Sequence, residues 1–329
     1  MAEGSGLARL SGGRLVLLGR AGMDLYADPP GTRTEEAARF ISALGGSAAN
    51  TAVALVRLGC RAAIVTCVAD DAIGRFCVNE LDRYGVDRRH VRAVGGEARN
   101  SLAVVETRVE DHQSVIYRNG AADFEMTAAD VEAVDYAAFS GLIATGTVLA
   151  AEPSRSAALR AFDLARAEGV PLILDIDYRP YSWPSAREAA EVCSRAAGMC
   201  DVIVGNDVEF GVLAGDAAQG LAAARALVAG GAGIAVYKMG EKGAITITPG
   251  EEFATGIFPV AVLKPTGAGD SFLGALVAAL AEGRPLREAV LRGAAAAAIV
   301  VGRVACAPAM PDRAELDLFL ARNPAPGAI

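Results

Sequence analysis

Apolar positions recur along this chain in two alternating rhythms. Short apolar runs, often β-branched, are followed by longer stretches in which apolar residues return at helical spacing. The first rhythm predicts buried strands and the second amphipathic helices. Strands are expected at residues 15–19, 62–68, 141–145, 171–176, 202–204 and 234–237, and helices at 47–58, 71–84, 153–168, 187–197 and 221–228. Within 47–58, Ala48, Ala49, Ala52, Leu55 and Leu58 share one face, while Gly85-Val86 marks a stop and a restart. Strand and helix alternating at this spacing imply βαβ units and a mostly parallel sheet, hence an α/β fold. Residues 101–106 and 112–117 have a different texture, apolar-polar and rich in β-branched residues, around the polar stretch 107–111. They read as antiparallel strands of a smaller sheet projecting from the main body, to which residues 25–41 contribute. No internal repeat is visible, and residues 1–329 read as a single domain with a short frayed tail at 323–329.

Composition narrows the class. Over 329 residues, 53% are hydrophobic and mean hydropathy is +0.33, enough apolar material to exclude overall disorder. The net charge of −8, with no basic block, argues against nucleic acid or an anionic membrane as partner. No apolar run approaches the roughly 18 residues that span a bilayer, and residues 15–18 are too short for a signal-peptide core. Cysteines 60, 67, 77, 193, 200 and 306 form no CxxC pair and have no histidine cluster beside them, which excludes zinc-site spacing. Scattered thiols of this kind suit buried, reduced cysteines in a cytoplasmic protein. His90 and His112 read as ordinary surface residues. Of 31 cationic residues only Lys238, Lys242 and Lys264 are lysines, and all three fall in one stretch.

That stretch leads into Thr266-Gly267-Ala268-Gly269-Asp270, followed at once by the apolar run Phe272-Leu273-Gly274-Ala275-Leu276. Glycines allow a tight turn, and successive N–H groups at the start of a helix form an anion site. An aspartate there can take the proton of a hydroxyl while the amides hold transferred charge. A glycine turn with Asp270 merely starting a helix is the structural alternative. Other phosphate signatures are missing: no GxxxxGK[ST] occurs, and no GxG follows the first strand with an acidic residue about 20 positions on. A nicotinamide-dependent oxidoreductase is therefore disfavoured.

The loop and its trailing helix closely resemble the C-terminal motif of the ribokinase-like carbohydrate kinases. Leu44-Gly45-Gly46-Ser47-Ala48-Ala49-Asn50-Thr51-Ala52 resembles the N-terminal motif of the same family. Asn206-Asp207-Val208-Glu209 is similar to its NxxE element, and Lys238-Met239-Gly240-Glu241-Lys242-Gly243 to its nucleotide-side loop. The resemblance covers residues 15–320. It implies a three-layer α/β sandwich with a mostly parallel central sheet and a small antiparallel β lid, drawn from about 24–44 and 98–120. It further implies Asp270 as general base and Gly267, Ala268 and Gly269 as the anion hole. Lys238, Gly240 and Gly243 would shape the ATP pocket. Asn206 and Glu209 would organise Mg²⁺ through its waters, although Asn-x-x-Glu alone is a helix cap. On the substrate side stand Asp24, Gly45, Gly46, Asn50, Arg118 and Arg179. ATP and Mg²⁺ are the implied cofactors, with a monovalent cation such as K⁺ as a further one. Pairing of the lid with a second copy of the chain is an open possibility.

Local texture points to one branch. Gly19-Arg20 with Asp24-Leu25-Tyr26, Asp175-Ile176-Asp177-Tyr178-Arg179-Pro180 with Trp183, and Cys306-Ala307-Pro308-Ala309-Met310-Pro311 resemble the kinases of myo-inositol catabolism that phosphorylate the 6-hydroxyl of 5-dehydro-2-deoxygluconate. The substrate carboxylate would suit Arg118 and Arg179 as bidentate partners. A kinase for 2-keto-3-deoxygluconate or fructose is the alternative within the fold, and a non-catalytic sugar- or nucleotide-binding regulator the alternative outside enzymology. Two departures stand out. Lys264-Pro265 occupies the place where the family often has Asp-Thr, and residues 293–298 are almost all alanine where relatives usually carry an asparagine near adenine.

Overall fold

In the first strand, alternate side chains go to opposite faces, as a pleated strand requires. Leu15 and Leu17 enter one buried cluster, Val16 and Leu18 another. Two cores flanking one sheet define the architecture, described here by a computed structural model for residues 6–327. Strands run in chain order as β1 (Arg14–Leu18), β2 (Gly22–Asp28), β3 (Arg39–Gly45), β4 (Arg61–Ala69), β5 (Asp87–Val94), β6 (Leu102–Val105), β7 (Ser114–Tyr117), β8 (Gly141–Thr145), β9 (Leu172–Asp175), β10 (Val202–Asn206), β11 (Ile234–Lys238), β12 (Ala244–Ile247) and β13 (Glu252–Thr255).

Nine of them make the central sheet in the order β13-β12-β11-β10-β9-β8-β1-β4-β5. From β5 to β11 every pairing is parallel, and only β12 and β13 add antiparallel strands at one edge. Helices α1 (Ser47–Arg57), α2 (Ala72–Tyr84), α8 (Ala268–Ala281), α9 (Leu286–Val301) and α10 (Arg313–Arg322) cover one face. The other face carries α3 (Ala128–Glu132), α4 (Ser154–Ala167), α5 (Ala186–Ala197), α6 (Asp207–Ala214) and α7 (Gly220–Ala229). The mostly parallel sheet expected from the alternating pattern and the three layers implied by the family resemblance are therefore present.

The second sheet is the lid, with order β3-β2-β6-β7. It is antiparallel within β2/β3 and β6/β7, and parallel where β2 meets β6. Tyr26, Ala43, Ala103 and Val105 of the lid pack with Ala305 and Cys306, tying it to the loop after α9. Sequence pattern missed β5, β12 and β13. β5 sits at the sheet edge and alternates Arg88, Arg89 and Arg92 with partly buried residues, so it has no apolar run to detect. Five of the six cysteines are buried and all six are free. Among the described residues no single helix is long and apolar enough to cross a membrane.

Candidate active site

In a parallel sheet, ligands sit beyond the carboxyl ends of the strands. Here those ends carry Arg20 after β1, Asp175, Asp177 and Arg179 at β9, Asn206 and Glu209 at β10, and Lys238 at β11. The start of α8 faces the same opening.

At the N-cap of α8, Gly267 has φ 88°, and a Cβ there would stand 2.7 Å from Cys306 Sγ. Only glycine fits that turn. Ser271 N is the first to bond back within the helix, to the Gly267 carbonyl at 3.1 Å, so the N–H groups of Ala268, Gly269 and Asp270 have no intrahelical acceptor. A Cβ on Gly269 would lie 3.5 Å from Lys238 Nζ, which places that ammonium beside the loop. Asn50 Nδ2 donates to Asp270 Oδ2 at 2.8 Å, joining two motifs 220 residues apart. Asp270 is accessible from the cleft, but the surrounding protein strips most of its hydration. That loss, with the negative charge of Asp177, lifts its pKa from 3.8 to about 7 against the opposing pull of Asn50, Arg179 and Arg20. A carboxylate at an anion site that exchanges its proton near neutrality is suited to taking a proton from an attacking hydroxyl.

Opposite stands Asp24, buried on β2 and hydrogen-bonded by the Tyr26 hydroxyl at 3.0 Å. Burial raises its pKa, and Arg20 opposes the rise. A Cβ on Gly45 would fall 2.0 Å from Asp24 Oδ1, so the bare glycine makes room for the carboxylate. Gly46, at φ 94°, lies against the Arg20 carbonyl in the same way. Arg20 was not among the predicted site residues. It is buried, donates to Ser101 Oγ at 3.3 Å, and keeps a buried Nε without a partner. Its sequence signals were its place in the segment that ends the first strand and its presence in the Gly19-Arg20 motif.

The two predicted arginines are differently employed. Arg118 is buried in an ion pair with Asp123, donates to the Thr147 carbonyl at 3.0 Å and lies 4.0 Å over the Phe124 ring. The expected carboxylate partner thus already has Asp123 on one nitrogen, while its buried Nε has no partner. Arg179 reaches Asp177 Oδ1 at 2.7 Å and Glu209 Oε1 at 3.7 Å, and so bridges two carboxylates.

Asn206 and Glu209 form a reciprocal capping box at α6, with Glu209 N donating to Asn206 Oδ1 at 2.9 Å and Asn206 N to Glu209 Oε2 at 2.7 Å. The capping reading is thus realised, and Glu209 is buried besides. Asp175, Asp177, Glu209 and Asp270 gather around Lys238 and Arg179. Burial first, then repulsion from Glu209, Asp177 and Asp270, pushes Asp175 up to about 8 against the attraction of Lys238. Asp177 Oδ2 is buried without a partner. Surplus negative charge and an orphaned oxygen fit a divalent cation arriving with phosphate. Among the described residues no three His, Cys, Asp or Glu side chains form a metal cage, so such a cation would keep waters and phosphate oxygens as ligands. Asp177 offers the orphaned oxygen and Asp175 holds a proton it can release when a cation arrives, although the pattern marked neither as a site residue. Gly240 and Gly243 shape the turn between β11 and β12, closed by Met239 N to the Gly243 carbonyl at 2.7 Å.

His112, expected at the surface, is half-buried with Nε2 at 3.3 Å from Thr266 Oγ1. The lid therefore touches the anion loop. No local pattern could show this, since the contact spans 154 residues.

The model of the pfkB family of carbohydrate kinases matches residues 13–313. The chain belongs to that family. It is similar to a 5-dehydro-2-deoxygluconokinase of Photobacterium profundum, 37% identical over 310 residues, which are 93% of this chain and 94% of that one. The 5-dehydro-2-deoxygluconokinase of Geobacillus kaustophilus is 36% identical over 313 residues, covering 94% and 93%. Among solved structures, a double-mutant fructokinase of Vibrio cholerae with fructose, ADP and potassium bound superposes with TM-score 0.82 at 27% identity, over 93% of this chain and 98% of that one. A Xylella fastidiosa fructokinase with bound ATP gives TM-score 0.83 at 21% identity, over 94% and 98%, which speaks to the fold alone. The pfkB assignment makes this chain an ATP-dependent phosphotransferase acting on a carbohydrate hydroxyl, as the paired motifs implied.

Proposed function

We propose that this pfkB kinase transfers the γ-phosphoryl group of ATP to the 6-hydroxyl of 5-dehydro-2-deoxygluconate, in myo-inositol catabolism in the cytoplasm. The observation that carries the reading is Asp270, held by Asn50 at the open N-terminus of α8 with a pKa near 7. The names of the 5-dehydro-2-deoxygluconokinase relatives support the sugar acid. So does Arg20, a buried guanidinium near Asp24 with no carboxylate in ion-pair distance among the described residues, whereas Arg118, whose Nε is equally unpartnered, is already paired with Asp123.

In this reading Asp24 and Asn50 orient the sugar, and the Gly45-Gly46 backbone lets it approach. Asp270 removes the hydroxyl proton as the oxygen bonds to the γ-phosphorus and the bond to the β-phosphate oxygen breaks. The proton leaves on Asp270, and ADP departs with the electron pair. The amides of the Gly267-Ala268-Gly269 loop and the Lys238 ammonium meet the charge that grows on the moving group. Gly240 and Gly243 bound the nucleotide pocket. Glu209, Asp177 and the Asn206 end of α6 would hold Mg²⁺ through its waters, and the ion, when bound, neutralises phosphate charge. The lid edges β3 and β7 expose Phe40, Ile41, Val115 and Tyr117, which supports pairing of the lid with a second copy.

An ATP-consumption screen over 5-dehydro-2-deoxygluconate, 2-keto-3-deoxygluconate and fructose tests the assignment. Preference for the first is expected. Preference for either of the others transfers the assignment to that substrate. Background turnover with all three, unchanged in Asp270→Asn, would leave a sugar- or nucleotide-binding regulator and overturn the kinase reading.

A further inference from the structure

Lys264 is a cation placed where water cannot reach it. Its side chain is fully buried, and its polar contacts are the Thr266 carbonyl at 2.5 Å and Cys306 Sγ at 4.0 Å. An ammonium stripped of water is costly unless nearby groups compensate it. Cys306 does not supply a full counter-charge, since burial pushes its thiol up to about 12 and it stays protonated. The compensation comes from farther carboxylates: burial lowers the Lys264 pKa, and Asp24 and Asp270 oppose the fall. Contacts run continuously across the site. The Tyr26 hydroxyl donates to Asp24 Oδ2 at 3.0 Å and also meets Cys306 Sγ at 3.1 Å, and Lys264 closes the path to Thr266. The Lys264 backbone is fixed as well, because its N–H and that of Leu263 both bond the Val301 carbonyl at the end of α9.

The Thr266 carbonyl belongs to the peptide unit whose N–H is that of Gly267, the first residue of the anion loop. Whatever holds that oxygen fixes the peptide plane from which the anion loop starts. The monovalent cation implied by family resemblance does not fit here. Hard cations need oxygen ligands, yet the Thr266 oxygen is already engaged, and a lysine stands where relatives often carry an aspartate. A second cation in this space would be repelled by the ammonium.

We propose that the Lys264 ammonium serves as a built-in monovalent cation, holding the Thr266 carbonyl to position the anion loop, so that the enzyme needs no external K⁺. The proposal rests on the kinase reading above. Lys264 touches no reacting atom and is a positioning residue.

Turnover should be compared in KCl and in tetramethylammonium chloride at equal ionic strength, with ADP quantified directly by chromatography. Wild-type kcat should agree within about twofold between the salts, and its melting temperature should not rise in KCl as it would if K⁺ bound the folded state. Lys264→Ala should lose about 10² in kcat through loop misplacement, with KM for the sugar acid little changed. Lys264→Asp should be active only with K⁺, and ammonium or K⁺ should restore part of the Lys264→Ala loss. A purely structural lysine would show neither cation rescue nor a kcat-selective loss. Stimulation of the wild type by K⁺ of about tenfold or more would overturn the proposal, as would a K⁺-dependent rise in its melting temperature. Should both variants fail to fold, the wild-type comparison decides alone. If the wild type turns over no substrate in either salt, the kinase reading fails, and the melting comparison still tests the built-in cation.

Discussion

Replacing Asp270 by Asn keeps the size of the side chain and an oxygen to accept the Asn50 amide, but removes the base. Loss of a positioned general base costs about 10²–10⁴ in rate, or about 3–5 kcal/mol of barrier. The wild type carries a more specific signature. With the Asp270 pKa near 7, the ionised fraction rises from about one-tenth at pH 6 to about nine-tenths at pH 8, and kcat/KM rises about tenfold with it. Two neighbours should move that limb in opposite directions. Asp177 raises the Asp270 pKa, so Asp177→Asn shifts the limb to lower pH, and it also frees Arg179 to favour the carboxylate. Asn50 lowers that pKa through its 2.8 Å hydrogen bond, so Asn50→Ala shifts the limb to higher pH. The assay is initial-rate ADP formation from pH 5.5 to about 9, with the sugar acid well below KM so that kcat/KM is read directly. A limb that stays fixed in both variants belongs to another group, and an Asp270→Asn enzyme within a few-fold of wild type would refute the assignment of the base.

The remaining predictions concern stability, specificity and backbone geometry. Folding raises Asp270 from 3.8 to about 7, so the folded state binds this proton more tightly than the unfolded chain. Stability is therefore lost as pH rises through that window, and Asp270→Asn should melt higher than wild type at pH 8, by an upper bound of about 4 kcal/mol, with the difference vanishing towards pH 4. Arg20→Gln should lower kcat/KM for the sugar acid by about 10–10² while costing fructose much less; equal losses would remove Arg20 from carboxylate recognition. Gly267→Ala forces a Cβ to 2.7 Å from Cys306 Sγ at φ 88°, so about 1–2 kcal/mol of backbone strain and a loss of kcat with a largely intact circular dichroism spectrum are expected.

Much of this protein was legible before any coordinate. The short apolar runs and the helical rhythm located the core strands β1, β4, β8, β9, β10 and β11 to within a few residues, because a sheet buried on both faces must be apolar and its covering helices must be one-sided. The paired motifs named Asp270, Asn50 and the glycine loop, since the turn at Gly267 and the helix start impose local requirements that local sequence satisfies. Charge partnership was decided elsewhere. Arg118 and Arg179 read alike as cations near a site, yet one is buried against Asp123 and the other bridges Asp177 and Glu209. Arg20, quoted only as part of a motif, is buried with its Nε unpaired and, among the described residues, with no carboxylate in ion-pair distance. His112 reaches Thr266 only because the lid folds over the loop. Even the odd lysine at 264 gained its meaning from burial, with Thr266 and Cys306 as its partners and Asp24 and Asp270 as its electrostatic balance. Sequence by itself determined the fold and the turn chemistry, which depend on neighbours along the chain. The tertiary structure alone decided which charges meet and which are left open, because electrostatic energy depends on distance through space and on the water that packing removes.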